Sequence, residues 1–242
     1  MAGQSSSLDI AEDGAAGASR PDFRHVRSWI FDLDNTLYRA DNGIFAQIEA
    51  RMTDYVERLL KLPRDAARAV QKDLYRQYGT TLNGLMHRHD CDAEDYLAYV
   101  HDIDLGDLGP DRDLKAALAR LPGQRFIFTN GCANHAARIL DRIGLADSFD
   151  AVWDIRTIGF SPKPSPAAYA QVMAAGAVDG PRAAMFDDIA RNLVPARAAG
   201  MTTVWLKTDA PWGQHGPLMD VAPGDIDHET DNLAGFLNRI RI

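Results

Sequence analysis

Apolar positions fall into short runs and helical stripes along the chain. The run 26–31 is broken only by Arg27 and Ser28 and ends at Asp32, the pattern of a strand buried for most of its length. From 42 to 62 the positions Ile44, Ile48, Met52, Tyr55, Val56 and Leu59 recur at helical spacing, and Pro63 stops the run. Residues 65–78 read as a second helix closed by Gly79. The polar junction Thr80-Thr-Leu-Asn-Gly84 follows, then shorter helical stretches at 85–89 and 93–100 and a return linker at 101–110, rich in Asp and Gly. Beyond Pro110 the pattern alternates: helix 111–121, strand 125–128, helix 133–143, strand 151–155, helix 166–175, strand 183–186, helix 192–199 and strand 202–206.

That alternation predicts an α/β fold, a doubly wound and mostly parallel sheet with a Rossmann-like core and helices on both faces. Residues 41–108 read as an all-helical insertion placed as a cap, with 22–40 and 109–242 forming the core. Residues 1–21, rich in Ala, Gly and Ser with Asp9, Glu12 and Asp13, read as a disordered tail.

Composition narrows the function classes. A length of 242 residues suits one main core with a smaller inserted unit. The net charge of −8, from 34 acids against 26 bases, argues against binding nucleic acid or anionic membranes. No run of 18 apolar residues occurs and the first ten residues lack the regions of a signal peptide, so a soluble, cytoplasmic protein is expected. Cys91 and Cys132 lack metal-type spacing and fit unpaired thiols in a reducing compartment. His87, His89, Cys91 and His101 do not converge on one helix face, which disfavours a zinc site.

In open α/β sheets, sites lie outside the carboxyl ends of the strands, so the polar residues there carry the chemistry. Asp32 and Asp34 stand two apart at the first strand end and project to one side, with Asn35 favouring a turn after them. Two such carboxylates about 4 Å apart repel by about 4 kcal/mol at an effective dielectric of about 20, which a cation or a shared proton must offset. The second strand ends in Thr129-Asn130-Gly131 ahead of a helix start, a ready anion site that is also an ordinary helix cap. Lys163 sits between Pro162 and Pro164 in a stiffened loop. Asp187 and Asp188, with Asn192 one helical turn on, offer the oxygen ligands a hard cation seeks.

In this order the four clusters resemble the haloacid-dehalogenase-like phosphohydrolases, and the resemblance covers nearly the whole chain after the tail. The insertion is similar to that superfamily's helical cap of the first type. Phe31-Asp-Leu-Asp-Asn-Thr-Leu-Tyr38, Tyr78-Gly-Thr-Thr-Leu-Asn-Gly-Leu85, Val100-His-Asp-Ile-Asp104, Ile127-Phe-Thr-Asn-Gly131, Phe186-Asp-Asp-Ile-Ala-Arg-Asn-Leu193 and Gly200-Met-Thr-Thr-Val-Trp205 resemble its pyrimidine 5′-nucleotidase branch.

The resemblance implies a phosphomonoester hydrolase whose partner is a small-molecule phosphate ester, here a pyrimidine nucleoside 5′-monophosphate such as UMP or CMP, with other small esters such as sugar or acid phosphates as the alternative. Asp32 would be the nucleophile that forms an aspartyl phosphate, and Asp34 the acid and base. Mg²⁺ would be held by the Asp32 carboxylate, the Asp34 carbonyl and Asp188, aided by Asp187. Thr129, Asn130 and Gly131 would hold phosphate, with Lys163 balancing charge. Thr36 and Asn192 would support the site from behind, Asn192 through Lys163 or a metal-bound water. Thr81, Asn83 and His101 would face the substrate from the cap. The family's dehalogenases carry a non-acidic residue where Asp34 stands, so an acid there points to an oxygen leaving group. Asp187-Asp188 departs from the Gly-Asp of many relatives.

Two other classes fit less well. Phospho-receiver domains place their acidic pair ahead of the acceptor, the reverse of the order here. A dinucleotide site would need a Gly-x-Gly-x-x-Gly after a strand, and none occurs.

Overall fold

The computed structural model describes residues 20–106, 108–208 and 221–242; most of the 1–21 tail lies outside them. Six strands form one sheet: β1 (Ser28–Phe31), β2 (Gln124–Phe128), β3 (Ala151–Trp153), β4 (Ala183–Asp187), β5 (Thr202–Leu206) and β6 (His228–Thr230). Their order is β3-β2-β1-β4-β5-β6, and every adjacent pair runs parallel. The central strands β1 and β4 are buried along their whole length, as continuous apolar runs covered on both faces should be.

Alternation along those strands feeds two cores. Trp29 and Phe31 of β1, Ile127 of β2 and Phe186 of β4 point into one, with Phe31 and Phe186 stacked at 4.6 Å. Ile30, Phe126, Phe128 and Met185 point into the other. Helices α5 (Arg112–Ala119), α6 (Ala133–Arg142), α7 (Pro166–Ala175), α8 (Ala190–Ala198) and α9 (Leu233–Arg239) complete the layers. The expected elements beyond Pro110 are present with shifts at their ends. The sequence pattern had not marked β6 and α9, whose three and seven residues are too short to set up a period.

Between β1 and α5 stand four helices: α1 (Ile44–Leu60), α2 (Arg64–Tyr78), α3 (Thr81–His89) and α4 (Ala93–Val100). Here the 80–84 junction differs from expectation. The helix already begins at Thr81, because the Thr80 hydroxyl accepts the Asn83 N–H and caps it. Asp92 caps α4 in the same way through Glu94 and Asp95 N–H groups. Gly84 lets α3 lie against α2, for a Cβ there would come within 2.7 Å of the Leu74 Cβ. The two chain crossings that enter and leave this unit meet. The Gln47 side-chain amide donates to the Asp104 carbonyl at 2.8 Å, and the Asp104 N–H donates back to Gln47 Oε1 at 3.1 Å.

Among the described residues, no helix is long and apolar enough to cross a membrane. Cys91 and Cys132 are buried free thiols.

Candidate active site

At the carboxyl end of β1 the ladder runs one residue further, as the Asp32 N–H donates to the Phe186 carbonyl at 2.8 Å. The chain then leaves the sheet at Asn35, which takes a left-handed φ of 64°. Thr36 and Leu37 N–H groups return to the Leu33 carbonyl at 3.3 and 3.0 Å, and this tight turn brings the Thr36 hydroxyl 3.2 Å from Asp32 Oδ2, to which it donates.

Lys163 is not a surface lysine. Its side chain is 1% exposed, and Nζ donates to Asp32 Oδ1 at 2.8 Å and to Asp187 Oδ2 at 2.7 Å, above the Phe128 ring. Its backbone is clamped by the Asn130 amide, which accepts the Lys163 N–H at 2.8 Å and donates to the Lys163 carbonyl at 3.2 Å. The loop of the second strand thus holds the loop that carries the lysine. Burial works against the charge of this ammonium, but Asp187 and Asp32 beside it raise its pKa above the ordinary value.

Asp187, the last residue of β4, is fully committed. Besides Lys163 it accepts from the Asn192 amide at 3.0 and 3.1 Å and from the Ile189 N–H at 2.9 Å. Asn192 is thus tied to Asp187, the carboxylate that also holds Lys163. Asp188 is the opposite case. Its Oδ2 is buried without a hydrogen-bond partner, while its backbone carbonyl accepts from the Trp205 indole at 2.9 Å.

Oxygens of Asp32, Asp187 and Asp188 lie within 4.8 Å of one another. Burial, reinforced by the other two carboxylates, pushes the Asp188 carboxyl well above its ordinary range. Asp32 is raised as well, because burial outweighs the pull of Lys163 and the charges of Asp187 and Asp34 add to it. One buried ammonium against three clustered carboxylates leaves excess negative charge, and the orphaned Asp188 oxygen supplies a free ligand. A hard divalent cation bound by oxygen, such as Mg²⁺, fits this donor set. His87, His89, Cys91 and His101 form no such group among the described residues.

Asp34 faces elsewhere. Its Oδ1 accepts from the Tyr38 hydroxyl at 2.6 Å and lies 2.7 Å from His135 Nε2. Burial works against ionisation here, yet His135 and Tyr38 outweigh it and hold the carboxyl down at about 2. The His135 ring is stacked on that of His101, with centroids 4.4 Å apart. Burial, with His135 close by, lowers His101 to about 3, so that ring is neutral at physiological pH.

A cavity of about 370 Å³ opens over these groups, between the strand ends and helices α1 to α4. Asp32, Asp34, Thr129, Asn130, Gly131, Lys163, Asp188 and Asn192 lie along it, as do Thr81 and His101. The inserted helices line it with Phe45, Ile48, Met52 and Leu97 and also with the charged side chains Glu49, Lys72 and Arg76. Asn83 does not line it. Its amide donates to the Tyr78 carbonyl and its N–H to Thr80, so it serves the start of α3. The Thr129 hydroxyl accepts the Gly131 N–H at 2.9 Å and shapes the turn between β2 and α6. His135 and Tyr38 escaped the sequence reading. The available signals were position alone: Tyr38 one turn past Asp34, and His135 in the first turn of the helix that follows Thr129-Asn130-Gly131.

Comparison with known proteins finds relatives in both sequence and fold. Phosphate metabolism protein 8 of Saccharomyces cerevisiae is 30% identical over 134 residues, which is 51% of this chain and 42% of that protein; the chain thus matches less than half of that relative's length. A HAD phosphatase from Thermococcus onnurineus superposes with a TM-score of 0.58 at 20% identity, covering 90% of this chain and 100% of that one. The L-2-haloacid dehalogenase of Xanthobacter autotrophicus gives 0.54 at 19%, over 88% and 97% of the two chains. The HAD-hydrolase YfnB of Bacillus subtilis, solved bound to magnesium, gives 0.54 at 17%, over 90% and 99%. At these identities the solved structures show the shared fold. The model of the haloacid dehalogenase-like hydrolases matches residues 26–200, most of the chain, and the chain belongs to that family.

Proposed function

We propose that the chain is a Mg²⁺-dependent phosphomonoester hydrolase that works through an aspartyl phosphate on Asp32, with pyrimidine nucleoside 5′-monophosphates, UMP and CMP, as its substrates. The carrying observation is the carboxylate pair that opens onto one cavity, Asp32 paired to Lys163 and Asp34 held by different partners. Two carboxylates in distinct surroundings can divide the roles of nucleophile and proton carrier. The resemblance of the motif stretches to the pyrimidine nucleotidase branch supports the substrate. The name of the yeast relative, in which phosphate metabolism appears, is compatible with the reaction class. Residues 41–108 would form the cap over a core of 22–40 and 109–242.

In the first half-reaction an oxygen of Asp32 bonds to phosphorus as the ester P–O bond breaks, and Asp34 gives its proton to the departing oxygen. In the second, water attacks phosphorus, Asp34 takes the water proton, and the bond to Asp32 breaks to release phosphate. In the empty site Asp34 is ionised, ready for the second half; the dianionic charge of a bound phosphate raises its proton affinity for the first. Thr129 and the Asn130 N–H would hold a phosphoryl oxygen, while Lys163 offsets the charge shared by Asp32 and phosphate. Bound by Asp32, the Asp34 carbonyl and Asp188, Mg²⁺ would supply the positive charge that lets a carboxylate approach a phosphate.

The test is phosphate release from UMP, CMP, AMP, GMP and small sugar and acid phosphates, with Mg²⁺ and then with chelator, for the wild type and Asp32→Asn. Chelator-sensitive release led by UMP or CMP, abolished in Asp32→Asn while its circular dichroism stays native, is the expected result. Release led by other esters would keep the chemistry and discard the nucleotide assignment. Full activity in Asp32→Asn would overturn the mechanism.

A further inference from the structure

We propose that His135, together with Tyr38, is a positioning residue for Asp34: the two donors pin Oδ1 and leave Oδ2 as the oxygen that exchanges the proton with the leaving group. This rests on the phosphomonoesterase reading above.

Both donors converge on one atom. The Tyr38 hydroxyl and His135 Nε2 lie 2.6 and 2.7 Å from the same Oδ1, from different parts of the chain, and both side chains are buried. A carboxylate oxygen offers two acceptor directions, so Oδ1 is saturated and the plane of the carboxylate is fixed. An ionised carboxylate only accepts, so Nε2 is the ring nitrogen that donates to Oδ1, while the buried Nδ1 has no partner.

The ring itself has little freedom. His101, at the end of α4, lies parallel to it at 4.4 Å with 16° between the planes. His101 is in turn tied down, with Nδ1 3.0 Å from the Leu97 carbonyl and 3.3 Å from Cys132 Sγ, while its own carbonyl accepts from Arg138 at 2.7 Å. The helical insertion thus fixes a core histidine, and that histidine fixes the acid.

Asp34 Oδ2 accepts no hydrogen bond from the described residues, and it points towards the turn at Gly131. A Cβ built on Gly131 would sit 3.6 Å from Oδ2 and 3.2 Å from the Thr129 hydroxyl, so the two oxygens flank the same glycine. A phosphate held at Thr129-Asn130-Gly131, as proposed above, would meet Oδ2 rather than the doubly hydrogen-bonded Oδ1. Free rotation of the carboxylate would spend much of its time with the proton-bearing oxygen misdirected, and misplacement of about 1 Å at a reacting group can cost about 100-fold in rate.

A histidine that only fills space would affect all esters alike; one that aims an acid affects those whose leaving oxygen needs a proton. The experiment therefore compares p-nitrophenyl phosphate, whose leaving group departs as a stable anion, with glycerol phosphate and the best nucleotide of the panel. His135→Phe keeps an aromatic ring against His101 and removes the donor. Its ratio of kcat on the alkyl ester to kcat on the p-nitrophenyl ester is expected to fall about 100-fold, in the direction of Asp34→Asn. His135→Gln, which restores an N–H donor, is expected to recover most of that ratio, and Tyr38→Phe to shift it the same way by a smaller factor. Should His135→Phe fail to fold, the Tyr38→Phe ratio decides alone. An unchanged ratio in a folded variant, or no recovery in His135→Gln, overturns the positioning role while wild-type turnover of both esters leaves the phosphatase reading standing. Absence of wild-type turnover on every ester would remove that reading and this proposal with it.

Discussion

Replacing Lys163 by Met tests the charge balance of the site directly. Met fills nearly the same volume without the ammonium, so packing against Phe128 is largely kept and the two short ion pairs to Asp32 and Asp187, at 2.8 and 2.7 Å, are lost. Three carboxylates with oxygens inside 4.8 Å then remain without a protein cation. A like-charge pair at that distance repels by about 3 kcal/mol at an effective dielectric of about 20, before protonation relieves part of it. Breaking a buried ion pair from one side costs about 3–5 kcal/mol. A loss near 4 kcal/mol corresponds to a melting point lower by about 10 °C in a chain of this size. The pH dependence has a definite sign. Without the ammonium the carboxylates hold protons in the folded state that the unfolded chain has already released, so stability must fall as pH rises out of the carboxylate range. Melts followed by circular dichroism in chelator at pH 5 and pH 8 should show the larger deficit at pH 8, and Mg²⁺ should restore part of it by taking the place of the missing charge. A variant that melts within about 2 °C of the wild type at pH 8, or whose deficit grows on acidification, would refute the reasoning.

Asp188→Asn removes the carboxylate whose Oδ2 is buried without a partner, so the metal-free protein should gain about 1–3 kcal/mol while the rise in melting point on adding Mg²⁺ shrinks. Melts of both proteins with and without Mg²⁺ check it; an undiminished Mg²⁺ response would exclude Asp188 as a ligand. Gly84→Ala places a Cβ 2.7 Å from that of Leu74 and should cost about 1–3 kcal/mol by prising α3 from α2. Its urea midpoint, unchanged from the wild type, would contradict that close approach.

The fold was readable where periodicity was long and the environment uniform. The apolar run up to Phe31 and the stripe from Ile44 to Leu59 each state their element directly, one as a doubly covered strand and the other as an amphipathic helix. Short polar elements such as His228–Thr230 carry no period and are made by pairing with β5, a tertiary effect. At the site, residue types that announce their chemistry were legible: Asp32, Asp34, Asp187 and Asp188 lie at or beside strand ends, and Lys163 stands in a proline-flanked loop. What each one touches was not. Which acid of the pair at 187–188 keeps a free oxygen depends on where Lys163 and Asn192 arrive, from 24 and 5 residues away. His135 meets Asp34 across 101 residues, and no local pattern could announce that meeting.

The paired hydrogen bonds between Gln47 and Asp104 close an excursion of 57 residues at its neck. The bonds tie the first turn of α1 to the segment after α4, where Ile44, Ile48 and Ile103 also pack into the core beneath the sheet. The entropy of closing a loop grows only with the logarithm of its length, about 0.6 kcal/mol for each doubling. A longer or shorter excursion between those two points would therefore change the closure term itself little, so long as the core contacts of Ile44, Ile48 and Ile103 are kept.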